Sequence, residues 1–203
     1  MSSGVRRTRA APSGEPREAT ETARNRIVPL IARAFRRYGY EAASMSVLST
    51  ETKLGRSSLY HYFPGGKEDM AMAVLDLAER FVRVDLMAKL VEPDTPRNQV
   101  DKFIDKLREY YEGGTVGCLY GVLTLHDCPP HVGNRVAALT QDWIVALAGY
   151  LKSRGDQSAR ANAEKIVRQL QGGLVVSLAT RDPRQFEAAL NDLRPILSGR
   201  GAP

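Results

Sequence analysis

Apolar positions recur along this chain at steps of three and four residues and nowhere at steps of two over a useful length, so the pattern predicts helices and essentially no sheet. The first periodic segment opens at Thr22: Ile27, Ile31, Ala34 and Phe35 share one face, and Gly39 stands where a C-terminal cap belongs. Pro29 removes one backbone donor there, so a bend near Asn25 or a later helix start is expected. Two short pieces follow, Met45 to Thr52 with Ser44 as N-cap and Arg56 to Phe63, leaving three residues for a tight turn. After Pro64-Gly65-Gly66 a long helix is predicted, whose buried stripe Met70, Val74, Leu77, Phe81, Val84 and Ala88 alternates steps of four and three.

Thr95-Pro96 is an N-cap followed by proline at the first helical position, opening a helix that buries Val100, Phe103, Ile104, Leu107 and Tyr111. Gly113-Gly114 breaks the pattern before a segment around Leu119 to Leu125. Cys128-Pro129-Pro130 stops that segment and precedes a helix carrying Val136, Leu139, Trp143, Leu147 and Tyr150. The Gly155 region separates it from a helix of roughly Ala161 to Thr180. Asp182-Pro183 caps a last one with Phe186, Leu190, Leu193 and Ile196 inward. The expected fold is all-α without internal repeats. Residues 1–20, rich in Ser, Gly, Pro and Arg, read as a disordered basic arm; 21–66 form a small three-helix unit and 67–203 a helical body.

Charge sharpens this division. Residues 1–70 hold 12 Lys/Arg against 7 Asp/Glu and the remaining 133 hold 17 against 16, so the net +6 splits as +5 and +1. A basic first third joined to a near-neutral body points to a polyanionic partner, nucleic acid or membrane surface, for the first third alone. At 43% hydrophobic and 26% charged the chain has the balance of an ordinary globular protein. No apolar run approaches the length that spans a bilayer, and the Arg-rich start is not followed by a signal-type apolar stretch. Cys118 and Cys128 are too few for a disulfide framework, which suits a reducing cytoplasm.

The stretch from Ser44 to Phe63 has the size of a helix-turn-helix. Val47, Leu48, Leu54, Leu59 and Phe63 can pack inward, which leaves Arg56, Ser57, Ser58, Tyr60, His61 and Tyr62 on the outer side of the second helix. Small hydroxyls and His suit base edges in a major groove, while Tyr hydroxyls and Lys67 suit phosphate oxygens. An αα-corner with half-buried tyrosines produces the same pattern.

Arg26 to Met70, RIVPLIARAFRRYGYEAASMSVLSTETKLGRSSLYHYFPGGKEDM, resembles the N-terminal domain of TetR-family transcriptional regulators, through "FRRYGY" and through "LYHYF" followed by Lys. The forms "YHYFPGGKE" and "GCLYGVLTL" resemble the subgroup of that family containing the LmrA and YxaF repressors. The sequence departs from the family pattern in the turn, where Lys53 stands in place of the usual Gly and Gly55 in place of Ser or Pro, which suggests a flexible residue displaced by two positions. The resemblance implies an N-terminal helix-turn-helix DNA-binding domain and a C-terminal helical ligand-binding and dimerisation domain. It also implies that Ser44 and Lys67 hold phosphates, that Arg56, Ser57, Ser58 and His61 face bases, and that Tyr60 and Tyr62 touch backbone or bases. Tyr62 is the leading contact, with Tyr60 expected to be partly buried. Arg6, Arg7 and Arg9 could enter an adjacent minor groove or belong to a solvated tail.

For the body the resemblance implies an effector cavity between helices and a homodimer built by the last long helices, about Val132 to Leu151 and Ala161 to Thr180. There Gly172, Gly173, Ser177 and Ala179 permit close approach, between subunits or within one chain. Candidate cavity residues are Phe103, Leu107, Tyr110, Tyr111, Cys118, Tyr120, Leu123, His126 and Trp143, an aromatic set that suits an apolar or aromatic effector. His126, Cys128 and His131 lack a fourth nearby metal ligand, so no metal and no cofactor is expected. No P-loop, G-x-S-x-G, H-E-x-x-H or GxGxxG occurs, which argues against an enzyme. The expected activity is sequence-specific, ligand-responsive repression from a palindromic operator; a sequence-blind architectural DNA binder is the alternative.

Overall fold

The computed structural model describes residues 15–124 and 128–199. Among the described residues it is built from helices alone: α1 (Glu15–Ala42), α2 (Met45–Thr52), α3 (Arg56–Tyr62), α4 (Lys67–Arg80), a π-helical stretch (Phe81–Leu86), α5 (Met87–Val91), α6 (Pro96–Tyr110), a 3-10 turn (Glu112–Gly114), α7 (Leu119–Thr124), α8 (Pro130–Ser153), α9 (Ala159–Thr180) and α10 (Arg184–Leu197).

Helix α1 starts seven residues before Thr22, so 15–20, expected in the arm, are helical; Arg6, Arg7 and Arg9 lie outside the described residues. Pro16 occupies the second helical position, where a missing N–H leaves no ladder bond broken. Pro29 neither breaks α1 nor delays it: Asn25 and Pro29 both face solvent, so the carbonyl deprived of a donor is open to water. The one departure from helical geometry is Gly39 (φ 79°, ψ 172°), which turns the chain out of the helix. Ile27, Ile31, Ala34 and Phe35 are buried as their spacing requires.

Ser44 caps α2, its Oγ accepting from Val47 N at 3.3 Å. The turn into α3 corrects the sequence-based expectation: Lys53 itself adopts the left-handed conformation (φ 57°, ψ 30°), while Gly55 sits at an extended φ of −64°, open to any residue. The flexible residue has not been displaced; a lysine does the work of the glycine.

The long helix also departs from its expected face. Met70 and Val74 are buried, but Val84 is 61% exposed, and the buried positions beyond Ala78 are Leu86 and Leu90. Leu77 and Phe81 pack on the core as expected, but past Ala78 the core-facing positions continue the series Val74, Ala78, Val82, Leu86 and Leu90, a strict step of four. An α-helix of 3.6 residues per turn would carry such a stripe steadily around its axis. The π-helical stretch, with its wider turn, holds these side chains on one face.

Thr95 caps α6 by accepting from Asn98 N at 3.3 Å. In the body α9 lies between α8 and α10, and α4 packs on both α1 and α8. One apolar cluster runs from Phe35, Leu48, Leu59 and Phe63 through Leu86, Phe103 and Leu107 to Phe186 and Leu193. Two glycines are fixed by neighbours: a Cβ on Gly173 would lie 2.4 Å from Ala189 Cβ of α10, and one on Gly114 (φ 92°) would lie 2.5 Å from Phe186 Cβ. Gly173 therefore serves packing within one chain, whereas Gly172 has open space around it.

Candidate nucleic-acid interface and effector cavity

Leu59 and Phe63 root α3 in the core, both fully buried, and so decide which side of this two-turn helix faces out. Arg56, Ser57 and His61 are exposed, Ser58 and Tyr62 half-buried, and Tyr60 is 49% exposed. The tyrosines exchange their expected places: Tyr60 stands free, while Tyr62 packs against the core with the His61 ring edge-on at 5.2 Å. The cause is the step of three from Leu59 to Tyr62, which swings residue 62 toward the core side of the helix.

Arg56 donates to the Ser46 hydroxyl of α2, a partner the sequence pattern did not single out, so the guanidinium is held across the two helices. Ser44 accepts a backbone N–H through its oxygen, leaving its own O–H proton free for an outside acceptor such as phosphate. Lys67 is half-buried: Nζ donates to the carbonyls of Tyr40 (3.0 Å) and Glu41 (3.5 Å) and sits 4.3 Å from the Tyr40 ring centroid. It caps the end of α1 as well as offering charge, a role that its position after a turn does not advertise. Burial, followed by the charges of Glu68, Cys128 and Glu41, pushes the Tyr40 phenol up to about 12.

In the body a cavity of about 230 Å³ opens between the junction of α4 with the π-helical stretch, α7 and α8, lined by Glu79, Val82, Arg83, Tyr120, Leu139, Asp142, Trp143 and Ala146. Two of the nine aromatic and apolar candidates line it, Tyr120 and Trp143. Phe103, Leu107 and Leu123 are instead fully buried core residues. Tyr111 is wedged edge-on between Tyr110 and Phe186 and donates to Cys118 Sγ at 3.5 Å. Tyr110 is stacked between Phe81 and Arg36. His126 lies outside the described residues, and among those described no three His, Cys, Asp or Glu side chains converge on a metal-sized space.

The polar wall is largely matched. Glu79 accepts from Arg135 of α8 at 2.6 Å and from Arg83 at 3.2 Å. Burial, with Cys118 behind it, raises the Tyr120 phenol well above its usual range, so it remains a neutral donor. Trp143 is 2% exposed and its Nε1 has no hydrogen-bond partner. Val82, Arg83, Asp142 and Ala146 escaped the sequence reading because the π-helical stretch rotates the first two off the expected stripe and the other two look like ordinary helix positions, while Leu139 was read as core and not as cavity wall.

Residues 27–74 match the family model described as "Bacterial regulatory proteins, tetR family". Over 167 residues the chain is 25% identical to the uncharacterized HTH-type transcriptional regulator YxaF of Bacillus subtilis, covering 78% of this chain and 86% of that relative. It is 24% identical over 167 residues to the HTH-type transcriptional regulator LmrA of the same organism, covering 78% and 88%. The crystal structure of a TetR transcriptional regulator from Legionella pneumophila shares the fold with a TM-score of 0.73 at 21% identity, over 83% of this chain and 93% of that one.

Proposed function

We infer that this chain, a transcriptional regulator of the TetR family, represses its target by binding a palindromic operator as a homodimer and leaves it when a small apolar or aromatic molecule fills the cavity beside the π-helical stretch. The observation that carries the DNA-binding half is the outer face of α3, where Arg56, Ser57, Tyr60 and His61 stand exposed on a helix anchored by Leu59 and Phe63. Two hydroxyls, one imidazole and one guanidinium suit hydrogen bonds to base edges better than a carpet of Lys and Arg, which would read phosphate alone. Ser44 and Lys67 flank this face as phosphate contacts.

Support for the dimer comes from α8 and α9. Val145 is 57% and Val175 59% exposed, with Val176 and Leu178 beside the latter, and Gly149 and Gly172 leave room for another helix. Reading a palindrome requires such a pairing to hold two α3 helices about 34 Å apart, one turn of DNA. The effector reading rests on the cavity itself: Val82, Leu139, Tyr120 and Trp143 give it an apolar and aromatic lining beside the helix that leads out of the DNA-binding unit. The activity is binding rather than catalysis and requires no cofactor. The expected place of action is the cytoplasm, where bacterial DNA lies; among the described residues no helix is long and apolar enough to cross a membrane.

The test is to select sheared genomic fragments on the purified chain in excess nonspecific DNA, with Tyr60→Ala and Tyr62→Ala as controls. Enrichment of one short palindrome, weakened in the variants, supports a sequence-specific dimer. Uniform, salt-sensitive retention of all fragments replaces it with an architectural DNA binder. A selected operator that compounds of the cavity's size and polarity never release would remove the effector half.

A further inference from the structure

Arg36 of α1 lies at the seam between the DNA-binding unit and the body, and its surroundings are unusual for a cation. Its guanidinium stands 3.9 Å from the Tyr110 ring centroid and donates from Nη1 to the Tyr110 carbonyl at 3.1 Å, at the C-terminal, electronegative end of α6. The other face of Tyr110 is stacked on Phe81, centroids 3.7 Å apart and planes 9° from parallel. Three layers, guanidinium, phenol and phenyl, thus join α1, α6 and the first residue of the π-helical stretch. The stack includes no carboxylate, and Arg36 Nε is buried without a partner. A buried donor left unpaired is unfavourable to folding, so stability alone is a poor reason for this arrangement.

We propose that Arg36, Tyr110 and Phe81 are positioning residues for DNA binding: the stack fixes the angle at which α1 to α3 leave the body, and Phe81 makes that angle answer to the cavity. The second clause rests on the effector reading above; the first does not. Phe81 immediately precedes Val82 and Arg83 in the cavity wall, and all three belong to a stretch whose wide turn differs from α-helix by a small change of register. A molecule that pushes Val82 aside turns Phe81 on the same backbone, and Tyr110 then loses the support that holds Arg36. The other cross-links here join different pairs: Arg135 and His131 tie α8 to α4, and Lys67 ties α4 to the end of α1. Among these named contacts, the stack is the one that leads from the cavity wall through the body to the middle of α1.

The experiment compares the full chain with Arg36→Gln, Phe81→Leu and Phe81→Tyr on two duplexes, the palindrome selected above and one of its half-sites alone. None of these residues lies on the DNA-facing side of α3, so half-site affinity is expected to stay within about two-fold. Affinity for the palindrome is expected to fall by about ten-fold or more in Arg36→Gln and Phe81→Leu, with new tolerance for half-sites moved apart by about one base pair. Phe81→Tyr, which keeps the stacked ring, is expected to behave as the parent. Unchanged palindrome affinity, or an equal fall on both duplexes, overturns the proposal. If the parent chain selects no palindrome, the functional reading fails, and amide exchange still decides the stack: Phe81→Leu should speed exchange in residues 33–38 and 106–110 together and leave α9 and α10 unchanged. Unaltered exchange there overturns it.

Discussion

Lys53 holds the left-handed backbone conformation at φ 57°, while Gly55, two residues further on, lies extended at φ −64° with nothing closer to its missing Cβ than Ser57 Oγ at 3.9 Å. Strain therefore sits on the lysine, and the glycine's freedom is unused in the folded state. Lys53→Gly is expected to stabilise the chain by up to about 1 kcal/mol; at Gly55, the N-cap of α3, alanine's gain in chain entropy is opposed by its poorer capping, so Gly55→Ala is expected to change stability by less than about 0.5 kcal/mol. Urea unfolding followed by helical circular dichroism measures both; a loss of stability in Lys53→Gly, or a loss above about 1 kcal/mol in Gly55→Ala, would contradict the assignment of the turn.

Ser44 is assigned two tasks that one pair of variants separates. Ser44→Ala removes the cap of α2 and should cost about 1 kcal/mol of stability, whereas Ser44→Gly should cost only a few tenths. Both lose the hydroxyl offered to phosphate, so both should weaken DNA binding evenly across sequences. Ser57→Ala or His61→Ala should instead cost about 1–3 kcal/mol and relax preference at individual base pairs. Binding to a panel of singly altered operators tells the two behaviours apart.

Gly172 and Gly173 are neighbours with opposite expectations. Gly173→Ala drives a methyl into Ala189 and should destabilise by about 1–3 kcal/mol despite the better helix propensity of alanine. Gly172→Ala gains that propensity freely, up to about 1 kcal/mol. Gly172→Leu or Val175→Glu should lower the apparent mass in sedimentation if α9 forms the subunit seam; a persistent dimer would move the seam elsewhere.

The buried phenols of Tyr40 and Tyr110 are pushed up to about 12, in both cases chiefly by burial, with the Arg36 charge opposing the shift at Tyr110. An unfolded tyrosine ionises near 10, so between about pH 10 and 12 the unfolded chain binds fewer protons and stability must fall as pH rises. Below about 10 these groups contribute no pH dependence. Alkaline titration of the unfolding midpoint should show this loss, and Tyr110→Phe should make it shallower while the other raised phenols, Tyr40 among them, still contribute.

Much of the DNA-binding unit was legible in the sequence because short-range rules govern it. Ser44 caps, Gly39 breaks, and Leu59 and Phe63 anchor, each through neighbours within about one turn. The exchange of Tyr60 and Tyr62 was not legible, since which tyrosine is covered depends on what lies across the helix pair. In the body, the stripe from Met70 to Ala88 fitted an ideal α-helix, and beyond Phe81 the chain follows a different stripe with a constant step of four. That step was visible in Val74, Ala78, Val82, Leu86 and Leu90, but only a backbone that widens its turn can use it. The cavity wall was missed for the same reason, since Val82 and Arg83 reach it through that widening.

The π-helical stretch also interrupts the α-helical ladder of a long rod near its middle. The π turn is the rarer backbone, so thermal opening of residues 67–91 should begin in the middle of the rod rather than fray from its ends. The half from Lys67 to Arg80 would then melt with the layer that touches DNA, and the half from Met87 to Val91 with the body, each on its own schedule.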